Sequence, residues 1–84
     1  MNYYLFFQDW EGNLHQIGYV NGTGVDEQQI IDDLWKQINE YLQSNMPNHK
    51  VYYYNIWNHD GFTIVDFGSH DEFFKIRPTI DLYK

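Results

Sequence analysis

The sequence has no cysteine, only two prolines, and just 5 Lys and Arg against 12 Asp and Glu. Each shortage excludes something. Without cysteine there are no disulfides, thiolate metal sites or cysteine nucleophiles, and a reducing compartment is tolerated. With so few cations and a formal net charge of −7, little is left to neutralise a phosphate backbone, so direct nucleic-acid binding is not expected. No apolar run nears the ~20 residues of a membrane helix. Met1–Asp9 also lacks the positive start and long apolar stretch of a signal peptide. The expectation is a cytoplasmic protein that makes no membrane contact.

What is abundant is aromatic: eight Tyr, six Phe and three Trp. An acidic disordered tail needs few such rings, so this chain folds. Its 84 residues bound it to one small domain, 1–84. A chain this short buries only about 60–65% of its unfolded surface. With no covalent or metal staple, the rings supply the core.

Residues 3–8 are apolar on both alternate faces, which suits a strand buried on both sides or paired in mid-sheet. Asp9-Trp10-Glu11-Gly12-Asn13 is turn chemistry, and Leu14–Val20 returns as a second strand with His15, Ile17 and Tyr19 on one face. Asn21-Gly22-Thr23 spells a glycosylation sequon but reads as a turn here. Asp26 is a helix N-cap, Gln29 completes a capping box, and Val25 and Ile30 hold the positions of a hydrophobic staple. Ile30, Ile31, Leu34, Trp35, Ile38, Tyr41 and Leu42 then repeat at three- and four-residue spacing, so the pattern predicts an amphipathic helix over about 26–44. Val51–Trp57 reads as a third strand, Asn58-His59-Asp60-Gly61 as a hairpin turn, and Phe62–Phe67 as a fourth strand. Phe73–Ile76 is a short edge strand or one helical turn, since Pro78 bars it from the sheet interior. The tail, Thr79–Lys84, can pair on an edge. The fold class is α+β: an antiparallel sheet of four to five strands, ββαββ(β), with one helix across a face.

Motifs with known chemistry fail on context. Asp66-Phe67-Gly68 matches a kinase tripeptide without the rest of a kinase. Gly22-Thr23-Gly24 precedes a helix, but it lacks a third glycine, and Asp26 and Glu27 would repel an anion. The loop from Asp9 lacks carboxylates at calcium-loop spacing. His59-Asp60 and His70-Asp71 could serve acid–base chemistry or hold a metal. They flank the fourth strand at opposite ends, however, roughly 20 Å apart. No catalytic residue, metal or cofactor is assigned, and the chain is read as a non-enzyme.

Charge is the more informative feature. Residues 1–35 contain Asp9, Glu11, Asp26, Glu27, Asp32 and Asp33 and no Lys or Arg; Asp60, Asp66, Asp71, Glu72 and Asp81 follow. Such a surface keeps a small protein soluble, or it receives a strongly basic partner by long-range attraction, with aromatics such as Trp10 or Trp57 slowing release. The expected partner-binding set is Asp9, Trp10, Glu11, Asp26, Glu27, Asp32, Asp33, Asp60, Asp71 and Glu72. A second reading rests on the aromatic strands. One helix covers one face, so the other displays Tyr and Phe. In RNA-recognition sheets such rings are flanked by Arg and Lys, which the first and third strands lack, so a homodimer suits that face better.

The stretch Asp60–Ile76, DGFTIVDFGSHDEFFKI, resembles a segment of small, mostly uncharacterised proteins of phages that infect low-GC Gram-positive bacteria. That resemblance carries no motif of known chemistry. It implies a protein inhibitor acting in the host cytoplasm on a nucleic-acid enzyme or defence system, including anti-CRISPR and DNA-mimic types. The acidic immunity proteins of ribonuclease toxins are similar in size and layout. The leading expectation is an acidic inhibitor of a basic nucleic-acid enzyme such as a CRISPR effector. The alternatives are an oligomeric structural or regulatory protein using an aromatic sheet face, and a nuclease-toxin immunity protein.

Overall fold

A computed structural model describes residues 1–83. Two strands, β1 (Asn2–Gln8) and β2 (Leu14–Asn21), precede the single helix α1 (Glu27–Asn45). Three more follow: β3 (Asn55–His59), β4 (Phe62–Asp66) and β5 (Phe73–Arg77). All pairings are antiparallel, and the strands form one open sheet in the order β2-β1-β5-β4-β3. The expected α+β architecture, ββαββ(β) with one helix, is the one observed.

The helix starts as its sequence dictates. Asp26 Oδ1 accepts from the Gln29 N–H at 2.9 Å, and Gln29 Oε1 accepts from the Asp26 N–H at 3.4 Å, so the capping box is closed. Val25, the outer half of the expected staple, stays exposed. Ile30, Ile31, Leu34, Ile38 and Leu42 form the buried stripe. They pack with Leu5, Phe7, Phe67, Phe74 and Ile76 into one core.

Two rows of side chains face that core across all five strands. One runs Gly18–Leu5–Ile76–Thr63–Asn58 and the other His15–Phe7–Phe74–Val65–Ile56. The register of β2 shifts between the partners of Leu5 and Phe6, leaving Ile17 as the extra residue of a bulge. The bulge overturns the expectation that His15, Ile17 and Tyr19 share a face. Ile17 packs on the core, whereas Tyr19 pairs with Tyr4 on the opposite side.

Three other expectations are corrected. β5 is the central strand, not an edge, because Pro78 lies one residue beyond its end and so removes no ladder donor. Residues 51–54 are not strand: Tyr54 instead packs on Trp35, with ring centroids 4.7 Å apart, and its hydroxyl donates to Asn39 Oδ1. The tail does not pair on an edge either. It turns under β4, where Thr63 Oγ1 accepts from the Ile80 N–H at 2.9 Å, and Ile80 and Leu82 are buried. Lys84 lies outside the described residues.

Sheet edges with free backbone groups invite pairing with other chains. The β2 edge is occupied at one residue from within. The Gln37 amide donates to the Tyr19 carbonyl and accepts from the Tyr19 N–H, both at 3.1 Å, imitating one rung of a further strand. Gly18 makes this possible, because a Cβ there would collide with Gln37 Oε1. The expected consequence of Gly18→Ala is loss of that rung and a destabilisation of about 1–2 kcal/mol, the scale of two solvent-accessible hydrogen bonds. In urea titrations, Gly18→Ala combined with Gln37→Ala should cost less than the sum of the two. Leu34→Ala and Ile38→Ala, both at fully buried positions, should each cost about 2–5 kcal/mol by leaving a cavity between helix and sheet.

Candidate interaction surfaces

The carboxylates expected to meet a partner fall into separate groups. Gln8 pairs with Phe73, so the β1–β2 turn and the loop before β5 share one end of the sheet, bringing Asp9, Trp10 and Glu11 to the same end as Asp71 and Glu72. Asp26 and Glu27 open the helix at the opposite end, beside the last residues of β2. Asp60 also lies at that end, in the β3–β4 turn at the far edge of the sheet. Asp32 and Asp33 lie exposed along α1 between the two ends. The ten residues therefore border the molecule and do not converge on one patch.

Local bonds order several of them. Asp9 Oδ1 accepts from the N–H groups of Glu11 (3.0 Å) and Asn13 (2.9 Å), and its Oδ2 accepts from His15 Nε2 at 2.7 Å. Asp32 accepts from Gln28 Nε2, and Asp33 from the same Gln37 amide that occupies the β2 edge. Asp60 takes a left-handed conformation, φ 51°, ahead of Gly61 at φ 79°, as a two-residue hairpin turn requires. It pairs with its neighbour His59 at 3.1 Å. Glu72 accepts from the Ser69 hydroxyl. Burial, and next the negative charge of Glu72, raise the Tyr41 hydroxyl above the usual tyrosine range. Trp10 projects from its turn 68% exposed and Trp57 is 43% exposed, so both are free to anchor a partner. Among the described residues, Asp32, Asp33, Asp71 and Glu72 make no ion pair with Lys or Arg.

A second surface, the aromatic sheet face expected from the sequence, carries two cations that the sequence reading did not place there. The sheet face away from the helix carries the row Gln16–Phe6–Lys75–Ile64–Trp57, spanning all five strands. Beside it runs Tyr19–Tyr4–Arg77. Lys75 Nζ and Arg77 Cζ each lie 5.3 Å from the centre of the Phe62 ring. A small notch of ≈ 110 Å³ opens among Gln8, Trp57, Ile64, Phe73 and Lys75. The expectation that the first and third strands lack cations is met, yet central β5 places two between them. The signal was present as the alternation Phe73-Phe74-Lys75-Ile76-Arg77, which puts both cations on one face.

The fold does not bring the two His–Asp pairs together. His59–Asp60 and His70–Asp71 stand at opposite ends of β4, and among the described residues no group of three His, Asp or Glu could hold a metal ion. The groove between β3 and the tail, of ≈ 340 Å³, is lined by Ile56–Asn58 and Thr79–Tyr83, with Asp81 its one carboxylate. No helix among the described residues is long and apolar enough to cross a membrane. No protein-family model, curated protein or solved structure matches the chain.

The Asp9 turn generates a pH prediction. The hydrogen bond from His15 is the largest influence on the Asp9 carboxyl; together with the Asn13 and Glu11 N–H groups it holds the pKa below the ordinary value. A depressed folded-state pKa stabilises the turn above the unfolded pKa and ceases to do so as pH falls through the folded one. The amide resonances of Glu11 and Asn13 should therefore hold steady from neutral pH down through the ordinary Asp range, about 3.9, and move together only below it. Asp9→Asn should abolish that acid transition.

Proposed function

We propose that this chain is a non-enzymatic, acidic protein inhibitor that occupies the basic nucleic-acid-binding site of another protein in the host cytoplasm. One observation carries the reading: Lys75 and Arg77 stand apart from Asp32, Asp33, Asp71 and Glu72, which no Lys or Arg ion pair neutralises among the described residues. Lys75 and Arg77, at the middle of the sheet, lie over Phe62. Meanwhile Asp32, Asp33, Asp71 and Glu72 have no Lys or Arg partner among the described residues. Had those cations folded back onto the carboxylates, the acidic field outside would be largely cancelled. Left uncompensated, it steers a basic partner at long range, and exposed aromatics such as Trp10 slow its release. The resemblance of Asp60–Ile76 to phage segments suggests the class of target, a host nucleic-acid enzyme or defence effector of the CRISPR kind.

The test has two arms. Immobilised protein should capture a nucleic-acid enzyme from bacterial lysate at low salt and release it toward ~1 M salt, where the screening length is about 3 Å. The captured enzyme should lose its hold on DNA or RNA as the inhibitor is added. Asp32→Asn with Asp33→Asn should weaken capture about tenfold while the melting temperature stays nearly unchanged, both side chains being exposed. Capture indifferent to salt and to both substitutions would overturn the proposal.

A further inference from the structure

The uncovered sheet face differs in character from the rest of this acidic chain. We infer that it is a platform for a short single-stranded stretch of nucleic acid, a role that does not depend on the inhibitor reading. Its exposed rings are Tyr4, Tyr19 and Trp57, at 37%, 45% and 43% exposure. Flat rings standing on a rigid sheet are what unpaired bases stack on, with little regard to sequence, since every base has a π-face. Between the Tyr4–Tyr19 pair and Trp57 run Lys75 and Arg77, side by side on the central strand. Neither makes an ion pair among the described residues. Two cations set among stacking rings are the donors a backbone phosphate requires.

The notch beside Lys75 adds a place for one base edge. It is lined by the apolar side chains of Ile64, Trp57 and Phe73 together with Gln8 and Lys75. Asp66 is the carboxylate of this face; it stands at the end of β4 opposite Asn55, with Oδ1 engaged by the Gly68 N–H.

Net charge opposes the binding of a polyanion at long range but does not decide it at contact. The helix carboxylates lie on the other side of the sheet, and packed layers are about 10 Å apart. That exceeds the screening length of about 8 Å at physiological ionic strength. A second copy is the less suitable occupant. A two-fold pairing of this face about its centre would set Lys75 and Arg77 against the same residues of the other copy, like charge on like charge.

Fluorescence anisotropy with labelled ten-nucleotide oligo-uridine and oligo-thymidine tests this directly. Binding is expected in the range of roughly 10⁻⁴–10⁻⁶ M. The log–log salt slope should be about −1.4, the value for two phosphates neutralised on a single strand. Lys75→Gln with Arg77→Gln should flatten that slope and weaken binding at least about tenfold. Trp57→Leu alone should weaken it several-fold with the slope kept, the mark of lost stacking, while circular dichroism reports an intact fold. Asp32→Asn with Asp33→Asn, which weakens capture of a basic protein, should not weaken oligonucleotide binding, so the two roles fail separately. The inference is overturned if neither oligonucleotide binds at ~1 mM protein and ~50 mM salt. It is likewise overturned if the Lys75/Arg77 pair and Trp57 can be replaced without effect, if light scattering shows a dimer that Trp57→Leu dissolves, or if phosphatidylserine vesicles bind this face while oligonucleotides do not.

Discussion

One α-helix, about 10 Å across with its side chains, cannot cover five strands whose outer members are about 19 Å apart at the usual spacing. Most of the architecture answers that mismatch. The helix lies on the β2 side, where Gln37 reaches the Tyr19 backbone. The β4–β3 side of the same face is left to irregular chain: Met46, Val51 and Tyr54 from one side, Ile80 and Leu82 from the other. Thr63 marks the junction. It is fully buried, and its hydroxyl satisfies the Ile80 N–H where regular secondary structure provides no partner. Among the described residues no helix lies on the opposite face, where Tyr4, Tyr19 and Trp57 stand exposed beside Lys75 and Arg77.

The same constraint explains which parts of the fold could be read from residues alone. The helix was legible because its information is local. A capping box, an apolar stripe at three- and four-residue spacing, and Pro47 shortly after its end all agree. The Asp60-Gly61 turn was legible for the same reason, since only a few residue types accept positive φ at both positions. Strand order was not, because no local signal states which strands are neighbours. Pro78 argued for an edge, yet a proline one residue past a strand leaves every ladder donor of that strand intact. The Val51–Tyr54 run has the composition of a strand, but its half-buried ring is held by Trp35 on the helix. Tertiary packing overrode β propensity there.

Candidate sites divide along the same line. Exposure of Asp32 and Asp33 followed from helical phase. Their distance from Asp60 or Asp71 could not, being set by the sheet order. The face of Lys75 and Arg77 was implied by alternation, but its meaning depended on β5 being central. On an edge those two cations would be solvated gatekeepers against strand pairing. At the centre they are the charged middle of an aromatic surface.

Placement of the two sheet cations is a matter of field more than of stability. A chain with so few cations can use each in one place only. A surface ion pair contributes about 0–1 kcal/mol, and a cation over an exposed ring is of similar worth, about 0.5–1 kcal/mol. Stability therefore does not dictate that Lys75 and Arg77 lie over Phe62 in preference to a carboxylate. The difference is in the field outside the molecule. Ion pairing would give a surface of nearly neutral patches, with weak attraction for either sign of partner. The arrangement on the sheet keeps Lys75 and Arg77 on one small aromatic face, apart from the carboxylates of the helix and of the sheet ends. That placement follows from the fold: β5 lies at the middle of the sheet, and its alternation puts Lys75 and Arg77 on the face away from the helix.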